Sequence, residues 1–431
     1  MLCINSRSNR RNVLNRIDQA KFPPNLTLTV EAERFGRRFW RKRVVSKLME
    51  LRTEEILRIT REKKRTSRVQ LAKVTGLSKP TVSSIVNDLV RKGILTETGL
   101  GKSKATGGRK PINLSFSPDF KYVLSVDIGG TKAIFALLDL DGNILVHETV
   151  PSELFRNGKG ILKELEERLE RYIKKAGREK ILGITLGIPG TVDRSSQVIK
   201  YMPSFDQGDL DLKSPLEDKY KISVLVENDV TLAAFGESWI GAAREYGDVV
   251  LVSIGTGIGA GIVIDNTVYR GYAGSAGEIG EFVTDWTLES GESSGFGRLE
   301  NWFSGHSLEA FCKENDLPIT VEGLFERMES DEKTRERIVN GCEHLALAFA
   351  NSLMLLDPAK LLIGGGIGFN QYDRIFPIID DTLKRVLPAE LYRPDLLSRA
   401  VLEPYSVVIG GAYFAQKELL LREVLGGASR E

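Results

Sequence analysis

The run VLVENDV (224–230) ends an apolar stretch with an amide and a carboxylate, Asn228 and Asp229. A carboxylate so placed can take a proton from a substrate hydroxyl and turn it into a nucleophile toward a phosphoryl group. The amide beside it can hold a neighbouring hydroxyl. The same pair also suits an Asx cap at the start of a helix, and both uses stay open at this point. Three glycine turns accompany the pair, each directly after an apolar run: VDIGGTK (126–132), GTGIGAG (255–261) and IGGGIG (363–368). Tight turns need glycine in any case. Three bare-backbone turns, each at the end of a strand, also suit phosphate oxygens, because amide N–H groups can point at them.

A second constellation lies in SRVQLAKVTGLSKPTVSSIVNDLVRKG, residues 67–93. Ser67 and Gln70 have the spacing of a capping box, and Gly76 is placed to stop that first helix. Ser78 caps the next helix, with Pro80 in its first turn, where no amide hydrogen is needed. Val82, Ile85, Val86 and Leu89 fall at i, i+3, i+4 and i+7 and predict a core stripe. The other face carries Thr81, Ser84, Asn87, Asp88 and Arg91, and Ser78 and Lys79 at the helix start join Thr81, Ser84, Asn87 and Arg91 as candidate DNA contacts. Small hydroxyl and amide groups there can approach base edges in a DNA major groove. An ordinary solvated helix face is the alternative. The following segment, ILTETGLGKSKATGGRKPINLSFS, predicts two strands around a Gly- and Lys/Arg-rich loop. Lys102, Lys104, Arg109 and Lys110 would reach phosphates or a minor groove as the wing of a winged helix.

Charge supports that division. Residues 1–119 hold 27 Lys and Arg against 10 Asp and Glu, a balance of +17, while the remainder balances at −15. The whole-chain value of +2 conceals a basic head on an acidic body, so a polyanion partner is expected for the head alone. Residues 1–47 form a basic extension with weak patterning, read as disordered. It is either an arm along the DNA backbone or upstream sequence preceding a true start at Met49.

The elements that must position these residues are an α/β set. Apolar runs at YVLSVDIGG, KAIFALLDL, ILGITLGIPG, SVLVENDV, DVVLVSIGTGIGAGIVI and AKLLIGGGIG predict strands. Helical spacing appears at 161–176, 229–240, 337–356 and 408–422. A chain of 431 residues, 42% hydrophobic, is long enough for a head and a two-lobed body with a cleft. No run approaches the roughly 18 consecutive apolar residues of a membrane span, and no signal-like segment opens the chain, so no membrane association and a cytoplasmic location are expected. Cys3, Cys312 and Cys342 form no cluster, and His147, His306 and His344 are scattered, so no metal site is indicated.

The motifs DIGGTK, GIPG (187–190), END (227–229), GTGIGAG, AGSAGEIG (273–280) and IGGGI resemble the ROK family of repressors, open reading frames and kinases. The resemblance spans about residues 120–412. It implies a ribonuclease H-like, two-lobed body of the actin and hexokinase type, with sugar and ATP meeting in the cleft. Members with a winged helix in front are mostly sugar-responsive repressors, and this chain looks like those, similar to xylose and N-acetylglucosamine repressors. The implied organisation is a winged helix-turn-helix at 48–118, a first lobe at 119–235 plus 405–431, and a second lobe at 236–404.

By the same resemblance, Asp229 is the catalytic base position. Asn228, Asp229, Glu278, Glu281, Glu300, Gly190 and Ser204 border the sugar. Asp127, Gly129, Gly130, Thr131, Lys132, Gly255, Thr256, Gly257, Gly365 and Gly366 line the nucleotide site, with Asp127 orienting the metal-bound waters of Mg-ATP. The implied partners are operator DNA, a sugar effector and a second copy of the chain, as homodimer or homotetramer. Two reactions remain in play: sugar-dependent repression, and ATP-dependent sugar phosphorylation with the head as a secondary regulator.

Two departures bear on the sugar. The family commonly binds structural zinc with a His and three Cys. Here Glu281 stands at the His position and Gly291, Ser293 and Arg298 at the Cys positions, so zinc is not expected. Phe296, Trp302 and Phe303 are expected to pin that loop by burial instead. Ser204 stands where the family often has Asn at the sugar lip. Which sugar is bound (xylose, glucose, N-acetylglucosamine or an oligosaccharide) stays open.

Overall fold

The computed structural model describes residues 37–100, 110–156, 160–202, 205, 207–285 and 297–425, with the backbone alone at 37–47 and 207. It divides into two compact units, one within residues 1–120 and 421–431, the other spanning 121–420.

The first unit opens with a helix, α1 (Arg37–Glu62), followed by α2 (Arg68–Thr75) and α3 (Lys79–Arg91). The sequence places the start of the domain at residue 48, but α1 begins at Arg37. The crowded arginines before residue 48 obscure the apolar period without opposing a helix. Ile56, Leu57 and Ile59 of α1 are buried, whereas Leu51 is 38% exposed. Ser67 caps α2 by accepting from the Gln70 N–H at 3.3 Å. The Gln70 carboxamide does not complete the expected box; its oxygen lies 3.4 Å from Ser67 Oγ and 3.5 Å from Thr66 Oγ1. Gly76 closes the helix in the left-handed conformation, with φ of 74°.

Ser78 caps α3, and Val82, Ile85, Val86 and Leu89 are buried as the spacing requires. Two antiparallel strands follow, β1 (Leu95–Leu100) and β2 (Ile112–Phe116), paired Leu95 to Phe116 through Leu100 to Ile112. Thr66 adds a bridge to Leu114, so the sheet is anchored on the turn before α2. This is a winged helix. The wing tip, with Lys102, Lys104 and Arg109, lies outside the described residues. A short helix at Leu421–Leu425 joins this unit, where Lys92 Nζ donates to the Val424 carbonyl.

The second unit holds two five-stranded sheets. The first contains β3 (Tyr122–Ile128), β4 (Lys132–Asp139), β5 (Ile144–Pro151), β6 (Ile181–Ile188) and β10 (Val224–Asn228), in the order β10-β6-β3-β4-β5. Between β6 and β10 the strands β7 (Thr191–Val192), β8 (Ile199–Met202) and β9 (Gln207–Leu210) make a separate small sheet. The second large sheet contains β11 (Val249–Ile254), β12 (Ile258–Ile264), β13 (Thr267–Val268), β14 (Lys360–Gly364) and β15 (Leu397–Arg399), in the order β13-β12-β11-β14-β15. The two orders are the same. In each, three strands form an antiparallel meander and two more add in parallel on the far side of the first. The expected strands at the glycine-terminated runs are all present.

Each sheet carries its own core. Helix α4 (Ile161–Ala176) covers the first sheet with Ile161, Leu165, Leu169 and Ile173, one every helical turn. Helices α5 (Glu332–Leu356) and α6 (Tyr372–Val386) cover the second with Ile338, Leu345, Phe349, Ile375, Ile379 and Leu383. Each such side chain contributes about 2 kcal/mol by leaving water. Helix α5 is long and apolar enough to cross a membrane, but Ile338, Cys342, Leu345, Phe349 and Leu353 along it are buried in this core.

Two further helices lie between the sheets and exchange sides. α7 (Asp229–Trp239) leaves β10 of the first sheet and packs on β11 and β12 of the second. α8 (Ser406–Ala415) follows the second sheet and packs on β3 and β6 of the first. They touch backbone to backbone: a Cβ on Gly410 would sit 1.7 Å from the Leu232 carbonyl oxygen, which no side chain can satisfy. Trp239 of α7 stacks on Tyr413 of α8, with centroids 4.8 Å apart.

Candidate functional site

The candidate residues arise where strands of the two large sheets stop. Asn228 ends β10 and caps α7: its Oδ1 accepts from the Thr231 N–H at 2.9 Å, and its Nδ2 donates to the Gly190 carbonyl at 3.2 Å. The capping alternative weighed from sequence therefore falls to Asn228. Asp229 becomes the first helical residue, its Oδ1 accepting from the Val230 N–H at 2.8 Å. Burial pushes the Asp229 carboxyl up to about 7, against the backbone donors, with the Glu278 and Glu403 charges adding to the rise. A carboxylate near neutrality is suited to receive a proton from a hydroxyl.

Asp127, at the end of β3, is held well above the usual carboxylate range. Burial is the main cause, the charges of Asp229 and Glu403 add to it, and Lys132 opposes it. Glu278 has substantial solvent contact, yet its carboxyl end is partly desolvated. That, followed by the Glu300 and Glu281 charges, raises its pKa. The structure thus brings Asp127, Lys132, Asp229, Glu278, Glu281 and Glu300 into one electrostatic group. Glu403, which the sequence did not single out, belongs to it.

The glycine turns differ in what occupies them. In the first, the Gly129 N–H donates to the Lys132 carbonyl at 3.0 Å, Ser152 Oγ donates to the Gly129 carbonyl, and Arg156 donates to the Gly130 carbonyl, both at 2.6 Å. Thr131 and Lys132 face solvent. In the second, Glu300 Oε1 accepts from the Ile258 N–H at 2.5 Å and its Oε2 from the Gly297 N–H at 2.9 Å, so both oxygens already serve backbone amides. The Gly255 and Thr256 carbonyls accept from the N–H groups of Gly305 and His306. In the third turn the Gly365 N–H donates to Glu403 Oε1 at 2.9 Å, with Gly366 beside it.

Glu281 ends a short 3-10 turn, Ile279–Glu281, and is exposed; Arg298 opens the helix Arg298–Trp302. Gly291, Ser293, Phe296 and Ser204 lie outside the described residues. Phe303 is fully buried, as expected. Trp302 is half-buried and stacks on His344, with centroids 3.8 Å apart, while His344 Nδ1 meets Thr284 Oγ1 at 2.7 Å. Burial lowers the His344 pKa, with the Asp285 and Glu343 charges acting the other way. The sequence marks His344 only as one of three scattered histidines. Its partners stand about 40 and 60 positions away in sequence, so no local pattern announces them.

In the winged helix, the α3 face presents Ser78, Lys79, Ser84, Asn87 and Arg91 to solvent, with Thr81 half-buried. Ser78 Oγ and Thr81 Oγ1 share a hydrogen bond of 2.8 Å. Arg68 of α2 donates to Asn87 Oδ1 at 2.7 Å and pairs with Glu97 at 2.9 Å. Asp88 pairs with Lys92 at 2.8 Å and with Arg91 at 2.5 Å, and these cations hold it below the usual carboxylate range, Lys92 foremost. Lys110 is exposed where the wing returns.

A three-helix winged head of this kind defines a DNA-binding module, and two like-ordered sheets with interleaved helices define a body of the actin and hexokinase type. Residues 123–418 match the ROK family and residues 49–96 match the winged helix-turn-helix DNA-binding family; the chain belongs to the ROK family. A curated relative, the xylose repressor of Caldicellulosiruptor bescii, is 28% identical over 335 residues, covering 73% of this chain and 82% of its own. A crystal structure of a ROK family transcriptional regulator, homolog of the E. coli MLC protein, covers 88% of this chain and 98% of its own with TM-score 0.75 at 21% identity. A ROK family glucokinase from Streptomyces griseus, solved with glucose and AMPPNP, covers 69% of this chain and 99% of its own with TM-score 0.57 at 25% identity.

Proposed function

We propose that the chain is a sugar-responsive transcriptional repressor of carbohydrate-use genes, acting in the cytoplasm on operator DNA as a homodimer or homotetramer. The observation that carries this is the pairing, on one polypeptide, of a winged helix with an exposed polar and cationic α3 face and a body in which Asp229, next to the capping Asn228, and Glu278 belong to one charged group. Symmetric copies would read two half-sites. Lys79, Arg91, Lys102, Lys104, Arg109 and Lys110 would meet the DNA backbone or minor groove, and Ser78, Thr81, Ser84 and Asn87 the major groove. Asn87 would leave Arg68 to do so.

In the cleft, Asp229 and Glu278 would accept hydrogen bonds from sugar hydroxyls, with Gly190, Ser204, Glu281 and Glu300 bordering the ring. Sugar binding need favour one body conformation by only about 1–3 kcal/mol to change operator occupancy several-fold or more. The xylose repressor relative makes a pentose the first sugar to try.

Binding of the DNA upstream of its own gene, measured by gel shift at low salt with a panel of xylose, glucose and N-acetylglucosamine, tests this. The expected result is a shifted band that one sugar releases. No shift on any fragment at low salt overturns it.

A second reading, ATP-dependent sugar phosphorylation, has one placement in its favour: the Asp229 carboxyl stands at the first residue of α7, where burial raises its pKa. Mg-ATP would supply the phosphoryl group. Asp127, the first glycine turn and Thr131 would face its phosphates, and Asp229 would take the sugar proton. A coupled ATPase assay with the same sugars, using Asp229→Ala as control, tests this reading: turnover lost in the variant supports it, and no turnover with any sugar overturns it.

A further inference from the structure

The third glycine turn is already filled by an anion of the protein itself. Gly365 has φ of +78°, and a Cβ there would lie 2.6 Å from the Ile254 nitrogen, so the turn can be built only with glycine. Its N–H is one of the donors that the spacing assigns to a phosphate. It donates instead to Glu403 Oε1 at 2.9 Å, an acceptor 38 positions later in the chain.

Glu403 is set there by its surroundings. The Ala400 N–H donates to the Ile363 carbonyl at 3.0 Å. The N–H groups of Val401 and Leu402 both donate to Glu237 Oε1 at 2.8 Å, and the Tyr405 N–H donates to the Leu402 carbonyl at 2.8 Å. Glu237 is itself fully buried on α7 and also accepts from the Ala242 N–H at 2.7 Å. The backbone on both sides of Glu403 is therefore fixed, and its carboxylate is delivered onto the turn. Its charge is felt by Asp127 and Asp229, and Lys132 is the cation acting on that group. A triphosphate entering here would have to displace one carboxylate from an amide and sit among others. A bound magnesium ion would offset part of that repulsion but not restore the amide.

We infer that Glu403 is the resident anion of the third glycine turn, and that it keeps nucleotide phosphates out of the body, so that the cleft takes a sugar without ATP. This goes beyond the repressor reading and does not depend on DNA binding.

The test is calorimetric titration of the full chain with MgATP, MgADP and inorganic phosphate, with and without saturating sugar, for wild type, Glu403→Gln and Glu403→Ala. The Gln variant keeps an oxygen for the Gly365 N–H and removes the charge, so it guards against loss of the fold; melting curves check both variants. The expected result is no nucleotide heat for wild type. MgATP affinity should rise by roughly tenfold to a hundredfold in the Ala variant, the effect of freeing a charge-assisted donor and removing a like charge. A smaller gain is expected in the Gln variant. Wild type binding MgATP as tightly as the variants, in either sugar condition, overturns the inference. So does a folded Gln variant that gains nothing. No DNA enters these titrations, so a failed gel shift leaves their outcome intact.

Discussion

The head and the body both present polar groups to an outside partner, and they do so with opposite electrostatics. The head turns cations and hydroxyls outward from α3, over a stripe of four buried apolar residues. The body closes its first glycine turn on itself, through the Gly129 N–H and the Lys132 carbonyl, and meets amides of the other two with its own carboxylates, Glu300 and Glu403. The balance of +17 against −15 is the sequence-level trace of this difference. It teaches that a glycine turn states what a backbone can donate, while the acids around it decide what it will receive.

Four perturbations sharpen or break the contrast. The largest effect is expected from Gly410→Val in the body, since any Cβ collides with the Leu232 backbone. More than about 4 kcal/mol should be lost, read as disappearance of the cooperative melt. Gly366→Ala, with nothing within 4 Å, is the matched control and should stay within about 0.5 kcal/mol.

Next is Glu237→Ala, which strips the acceptor from three backbone amides. About 3 kcal/mol should be lost in denaturant melts, with the head's own helicity unchanged. If the melt does not move, Glu237 does not fix the segment before Glu403.

Third is Asp229→Asn. Because the folded carboxyl is raised to about 7, the folded state holds a proton that the unfolded chain releases near 4. Stability from this group is therefore fully present below about 4 and declines as pH climbs through 7. The Asn variant should flatten that part of the stability profile and weaken sugar binding. A profile unchanged by the substitution would place the titration elsewhere.

The smallest effect belongs to the head. Lys79→Ala should weaken DNA binding alike on all sequences and lower the log–log salt slope by about one. A loss confined to one base position would make Lys79 a base reader instead.

Local chemistry made much of this legible. The caps Ser67, Ser78 and Gly76 act within four residues of where they stand, and the α3 stripe follows from helical period alone. The strands of the body announce themselves because each apolar run stops at a glycine or an acid. What stayed hidden depends on distance along the chain. Glu403 looks like a surface acid until Gly365, 38 positions earlier, is placed beside it, and Glu237 looks like an ordinary helix residue until Val401 arrives from 164 positions later. The start of α1 at Arg37 was hidden by composition, since dense arginine hides periodicity without preventing a helix. Asn228 and Asp229 were found together, but their division of labour was not. Only the helix start shows that the amide caps α7 through the Thr231 N–H, while the carboxylate accepts from the Val230 N–H.

The exchange of α7 and α8 between the sheets has a mechanical consequence. Each lobe is roofed by a helix whose root lies in the other, and the two helices press together where Gly410 meets Leu232. Any change in the angle between the lobes must therefore move α7 against α8, and the stacked rings of Trp239 and Tyr413 are a contact that such a motion has to carry with it or break.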